Sequence, residues 1–248
     1  MTPTEILDKL ETGELRSANP TEHGWEANID VKKGILSAFK EGQNISFKGI
    51  YEGFVDKDNL PPRFFNPEDG VRLVPGGSSV RRGAYVAKGV IIMPPAYINV
   101  GAYVDEGSMV DSHALVGSCA QIGKRVHLSA GVQIGGVLEP VGMNPVIIED
   151  DCFIGAGAVI VEGILVRTRA VIAPGVVLSK SIPVYDAVHE VVRERGSEIP
   201  EGAVVIPGSR PMRSDWAKQE GLSMACPIIV KYRDAGSDAS LELEDALR

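Results

Sequence analysis

Few side chains in this chain can do chemistry unaided, and their spacing narrows the choice. The histidines are His23, His113, His127 and His189, and the cysteines are Cys119, Cys152 and Cys226; none stands at metal-ligand separations. Zinc catalysis by three histidines would find only His113 and His127 in the central stretch, so no metal is expected. The cysteines, odd in number, read as buried inert thiols and not as nucleophiles. Aspartates follow aliphatic residues at 105 and 111, where spacing alone favours a corner carboxylate satisfying turn amides. Arg210, Arg213 and Lys218 come nearest to a basic patch, readable either as a solvated loop or as the means of meeting a phosphorylated ligand.

Charge bounds the partners. The net charge is −8 and no basic run could track a phosphate backbone, so nucleic acid is not an expected partner. Any anionic ligand must be met by local cations. Residues Met1 to Leu15 carry no apolar signal core, and no apolar run reaches membrane-spanning length, which predicts a cytoplasmic protein without membrane contact.

The elements that must position these residues are read from a strict period. From Val80 to Leu178 an aliphatic residue returns every sixth position: Val80, Val86, Ile92, Ile98, Val104, Val110, Val116, Ile122, Leu128 and Ile134, then, after a slip of two, Ile148, Ile154, Ile160, Val166, Ile172 and Leu178. A period of six fits neither a helical turn nor a simple pleat. Four residues after most of these aliphatics stands a small or β-branched one, such as Ala84, Ala102, Ser108, Ala120, Cys152 or Ala170. One large and one small inward side chain per six residues describe a narrow triangular prism of stacked short strands, a parallel β-helix of about five coils. A βαβ sheet would need helical spacers that the chain lacks. The fold class predicted is therefore mainly β: a β-helix of hexapeptide repeats with a small α+β N-terminal cap and a short C-terminal extension.

Three segments follow: a cap over 1–75, the prism over 76–182 and an extension over 183–248. The cap should hold a helix over Thr4 to Leu10 capped by Thr4, and a second with an Asp30 N-cap and a stop at Gly42; Ile45 to Tyr51 reads as a strand. Pro140 stands where the period requires an aliphatic residue, so a loop leaves the prism there and returns at Val146. In the extension, Ala187 to Arg195 reads as a short helix, Ala203 to Ile206 and Ile228 to Tyr232 as strands, and Leu241 to Leu247 as a terminal helix in an acidic tail.

Several segments together resemble the tetrahydrodipicolinate N-succinyltransferase family: Arg72-Leu-Val-Pro-Gly76, the run from Gly101 to Asp111, Val116 to Lys124, Val126-His-Leu-Ser129, Ile134-Gly-Gly-Val-Leu-Glu-Pro140 and Ile148 to Ala156. The resemblance spans about Trp25 to Tyr232. It implies a left-handed prism, a homotrimer with sites between neighbouring prisms, and direct transfer from an acyl-CoA to the amine of an amino-dicarboxylate. It assigns Asp111 as the carboxylate that orients the acceptor ammonium and takes its proton. Arg72 is implied as the clamp for the acceptor's carboxylates, with Ser129 and, more weakly, His127 nearby. The backbone at Gly155, Ala156 and Ala173 is implied to line the pantetheine arm.

The departures from that pattern carry information of their own. Where the family reads Arg-Ser-Glu with a second catalytic glutamate, this chain has Gly157-Ala158-Val159, and Glu162 is no substitute because the family has its own glutamate there. His113 replaces a tryptophan, while Ala130 and Gln133 replace glycines. An altered acyl or acceptor pocket is expected, as in the family's relative from tabtoxin biosynthesis, with acetyl-CoA as an alternative donor to succinyl-CoA. A non-catalytic scaffold is the remaining reading.

Overall fold

The computed structural model describes residues 1–22 and 24–233; the expected terminal helix, the acidic tail and His23 lie outside the described residues. Its body is a left-handed β-helix whose three faces are parallel ladders of two-residue strands. The first face stacks Tyr85–Val86, Tyr103–Val104, Gln121–Ile122, Ile147–Ile148 and Leu165–Val166. The second runs from Arg72–Leu73 through Ile91–Ile92, Met109–Val110, His127–Leu128 and Phe153–Ile154 to Val171–Ile172. The third runs from Ser79–Val80 through Tyr97–Ile98, Leu115–Val116, Gln133–Ile134 and Val159–Ile160 to Val177–Leu178.

Every aliphatic residue of the six-residue period is the second residue of such a strand, and all are buried, as are the small residues four positions on. Each coil therefore puts three large and three small side chains into a core with no helix to help, and each large one contributes about 1.5–3 kcal/mol of apolar burial. The prism begins at Arg72, slightly before residue 76, and is prolonged beyond Leu178: Ile199 bridges Val166 on the first face, and Ala203–Pro211 pairs with Val171–Ile172 on the second.

From Ser79 to Leu178 partners on one face are 18 residues apart (Val104 and Ile122) except across the interruption, where they are 26 apart (Ile122 and Ile148). The slip of two in the period is thus an insertion of eight residues. The inserted loop folds back on the cap. Lys32, fully buried on the second helix, donates through Nζ to the carbonyls of Val137 and Met143 at 2.7 and 2.6 Å, and Asn144 donates to the Trp25 carbonyl at 2.7 Å. Burial pushes the Lys32 ammonium below its ordinary pKa.

The cap contains helices α1 (Pro3–Thr12) and α2 (Ile29–Glu41), packed through Ile6, Leu7, Leu10, Val31, Ile35 and Ala38 onto Val100 and Cys119 of the prism. Their caps differ from the sequence reading. Thr2, not Thr4, accepts from the Glu5 amide while Glu5 returns the bond, a reciprocal capping box; Asn28, not Asp30, accepts from Val31. The expected strand is only Asn44–Ser46, followed by a 3₁₀ turn at Gly49–Tyr51. A hairpin of Ala18–Thr21 and Gly24–Ala27 joins the two helices. Beside it, Arg16 lies 3.7 Å above the Tyr103 ring and donates to Gln121 at 2.9 Å, and Trp25 donates to Glu149. These contacts cover the first face.

In the extension Ala187 to Arg195 is not a helix. Asp186 Oδ1 accepts the amides of Val188 and His189, which closes a turn, and Val191–Val192 then pairs antiparallel with Tyr185–Asp186. A long hairpin, Ala203–Pro211 with Ser223–Tyr232, carries the short helix α3 (Asp215–Gln219) at its tip. Among the described residues no helix is long and apolar enough to cross a membrane. All three cysteines are buried, and burial pushes each thiol above its ordinary pKa.

Candidate active site

The edge between the second and third faces gathers most of the residues named from sequence. Each strand of the second face ends in a residue whose amide donates to the next coil: Asp111 to Leu128, Ser129 to Ile154, Gly155 to Ile172 and Ala173 to Val205, at 2.7–2.9 Å. These four residues form one line down the prism. Coils stack at about 4.8 Å, so Asp111 and Ser129 are neighbours and Ala173 lies about 15 Å below Asp111. A second line of corners runs beside it, with Gly131 donating to Ser112, Gly157 to Ala130 and Gly175 to Ala156.

Asp111 does part of what spacing alone suggests. Its Oδ1 accepts the Ser112 amide at 2.7 Å, just as Asp105 accepts Glu106 and Asn99 accepts Val100, both at 2.8 Å. Its other oxygen has no partner among the described residues and is available to an incoming ammonium. Ser129, nearly buried, sits one coil below.

Gly155 and Ala173 spend their amides on the ladder, and that of Ala156, which is exposed, has no partner among the described residues. Gly155 has a further reason to lack a side chain: a Cβ there would stand 2.5 Å from Pro174 N and 2.8 Å from the Ala173 carbonyl carbon. The close approach that requires glycine here is that of the next coil.

Arg72 opens the outward column of the second face, which continues through Ile91, Met109, His127 and Phe153. It therefore stands two coils, about 10 Å, above the level of Met109. Its guanidinium is exposed, makes no ion pair among the described residues, and lines a cleft of about 400 Å³ with Tyr51, Arg63, Phe64 and Ser78. Arg63 in the same cleft is engaged, lying over Phe65 and donating to the Ala84 carbonyl. His127 packs edge-on against Phe153, ring centroids 5.1 Å apart.

The residues that depart from the family pattern converge at one place. Gln133 stands directly over Val159 on the third face, and its amide donates to the carbonyls of His113 and Gly131 at 3.2 and 3.1 Å. His113 is exposed and holds a left-handed corner at φ 61°, where the coils below use Gly131, Gly157 and Gly175. Ala130 accepts from Gly157. His113, Ala130, Gln133 and Val159, scattered over some fifty residues, are thus one patch beside Asp111. Glu162 lies elsewhere and accepts the Lys180 amide.

Sequence reading missed a cluster in the extension. Asp186, 2 % exposed, accepts from the His189 ring at 2.9 Å and the Tyr232 hydroxyl at 2.7 Å. Burial alone would raise its carboxyl, but the hydrogen bonds from His189 and Tyr232 override it and hold the pKa at about 2. Only the separation of three between Asp186 and His189 signals this locally; Tyr232 is 46 residues away.

Comparison with known proteins follows the same lines. The profile described as "Tetrahydrodipicolinate N-succinyltransferase N-terminal" matches residues 3–40, and "Hexapeptide repeat of succinyl-transferase" matches residues 145–180. The chain is 47% identical to the 2,3,4,5-tetrahydropyridine-2,6-dicarboxylate N-succinyltransferase of Albidiferax ferrireducens, over 99% of this chain and 91% of that protein. Against the enzyme of the same name from Nitrosospira multiformis the identity is 44%, over 99% and 88%. A Campylobacter jejuni crystal structure, named as a 2,3,4,5-tetrahydropyridine-2-carboxylate N-succinyltransferase, shares the fold with a TM-score of 0.58 at 20% identity; the match covers 92% of this chain and 62% of that one. The chain is therefore an acyltransferase and belongs to the tetrahydrodipicolinate N-succinyltransferase family.

Proposed function

We propose that this acyltransferase moves an acyl group from a CoA thioester to the amine of an amino-dicarboxylate of the tetrahydrodipicolinate or 2-amino-6-oxopimelate type. It works as a cytoplasmic homotrimer in lysine and diaminopimelate synthesis or a related toxin pathway. The observation that carries this reading is the single edge on which Asp111, Ser129, Gly155, Ala156 and Ala173 line up, with the free Arg72 guanidinium on the adjoining face. Asp111 orients the acceptor ammonium with its unengaged oxygen and takes the proton, because only the neutral amine attacks a thioester and its free pKa is near 10. The new C–N bond forms as the C–S bond breaks, and the proton lost by nitrogen is matched by one gained by the departing CoA thiolate. Arg72 clamps an acceptor carboxylate. The pantetheine arm runs down the edge, where the unpaired Ala156 amide offers it a donor.

The donor is succinyl-CoA on the family's pattern. One observation favours acetyl-CoA as a second reading: at the patch beside Asp111, Gln133 is pinned over Val159, so side-chain volume is added and a carboxylate is missing. Steady-state kcat/KM with both thioesters separates the two, and turnover of neither would leave the prism as a scaffold. Light scattering tests the trimer directly.

A further inference from the structure

The extension carries an unoccupied demand for negative charge. Arg193, Arg195, Arg210 and Arg213 converge on one cavity of about 400 Å³, completed by Pro183, Tyr185, Val192 and Met224, and no carboxylate lines it. None of the four makes an ion pair among the described residues. Among the described residues the Nε atoms of Arg193 and Arg210 are buried without a hydrogen-bond partner, and the one hydrogen bond from these guanidiniums is from Arg210 to the Met224 sulfur at 3.6 Å. Two acidic groups line the adjoining cleft, Glu190 and Asp186, the latter already engaged by His189 and Tyr232. Glu194, between two of the arginines in sequence, is exposed and lines neither cavity. In a chain of net charge −8, an anion in this hollow would supply the acceptors that the buried Nε atoms of Arg193 and Arg210 lack and would meet the exposed guanidiniums of Arg195 and Arg213.

We propose that these arginines form a cradle for phosphate groups and, on the acyl-CoA reading given above, that it holds the phosphates of CoA. The placement supports this. The carbonyl of Val205, which takes the Ala173 amide at the foot of the edge, belongs to the same strand that delivers Arg210. The strand that meets the foot of the edge at Val205 thus carries Arg210 five residues beyond it. Guanidinium forks match phosphate oxygens bidentately, and the sites where a buried Nε lacks an acceptor are filled by that geometry.

The test uses the full-length protein and two pairs of variants: Arg193→Gln with Arg210→Gln, and Arg195→Gln with Arg213→Gln, the latter exposed and therefore safe for folding. KM for the acyl-CoA should rise about tenfold or more in each pair, while the same acyl group on pantetheine, which has no phosphates, should give the KM of the unmodified protein. An unchanged KM for acyl-CoA, or an equal loss with both donors, overturns the cradle. Calorimetric binding of adenosine 3′,5′-bisphosphate separates this from the acyl-transfer reading. If no thioester is turned over but the bisphosphate binds, and binding is lost in the variants, the cradle stands and that reading falls. If transfer proceeds and the bisphosphate binds the variants as tightly as the unmodified protein, the cradle alone falls.

Discussion

Asp111 has one oxygen committed to its own corner and one left over, and this division makes its role separable from its fold. Asparagine can still accept the Ser112 amide, as Asn99 does for Val100, but it cannot take a proton. Asp111→Asn should therefore lower kcat by at least about 100-fold, the lower end of general-base catalysis, with an unchanged melting temperature. Retained activity in a steady-state assay would remove Asp111 from the mechanism. Gly155 lies in the same line but answers to packing. Gly155→Ala drives a Cβ against the backbone of Ala173 and Pro174, which should cost about 1–3 kcal/mol and lower Tm by several degrees in calorimetry. The type of residue was legible in both cases, and the resemblance drew attention to them. What Gly155 packs against was not, because Ala173 and Pro174 come from the next coil, whereas Asp111 is held by its own neighbour Ser112.

Between residues and molecule stand the elements, and the inserted loop is the one that departs most from the repeat. Fully buried Lys32 holds it by two carbonyls. Lys32→Met keeps the apolar stem and strips the donor, leaving the carbonyls of Val137 and Met143 unsatisfied, at a cost of about 2–4 kcal/mol. Hydrogen exchange should quicken at the amides of the loop while the amides of the coils keep their protection; uniform protection would show that the lysine is dispensable. Element ends were the least legible feature. The Thr2-x-x-Glu5 pattern is a readable capping box, yet Thr4 also fits a cap by type, and only the direction of the hydrogen bonds decides. The charged stretch from Ala187 to Arg195 has helical composition, but Asp186 claims the amides that a first helical turn would need.

At the scale of the whole molecule, the extension is closed on itself through Asp186, which joins its first turn at His189 to Tyr232 at the end of the long hairpin. A carboxyl held at about 2 in the fold and near 3.9 when unfolded stabilises the protein above pH 4, and that contribution is lost as pH falls through 2. It amounts to about 2 kcal/mol. Acid unfolding followed by circular dichroism should thus shift in Asp186→Asn, whose stability should fall less between pH 4 and pH 2 than that of the unmodified protein; identical acid limbs would count against the cluster. The prism itself, filled by aliphatic and small side chains, should change little over this range.

What the chain determines by itself is the column. A large aliphatic residue every sixth position and a small one four places later admit only short strands and tight corners, and every such residue is buried as the period requires. The fold class could be read for this reason: the information is local and repeated. Tertiary structure decided what repetition cannot encode. The period counts residues modulo six, so it registers a slip of two where the coil inserts eight, and it cannot say that Asp111, Ser129, Gly155 and Ala173 stand in one line. Nor does it bring Arg193 and Arg195 to face Arg210 and Arg213, since that meeting depends on a turn closed by Asp186 and on strand pairing between distant segments. Hydrogen bonds between segments far apart in the chain set these registers, and no short window of sequence contains both partners.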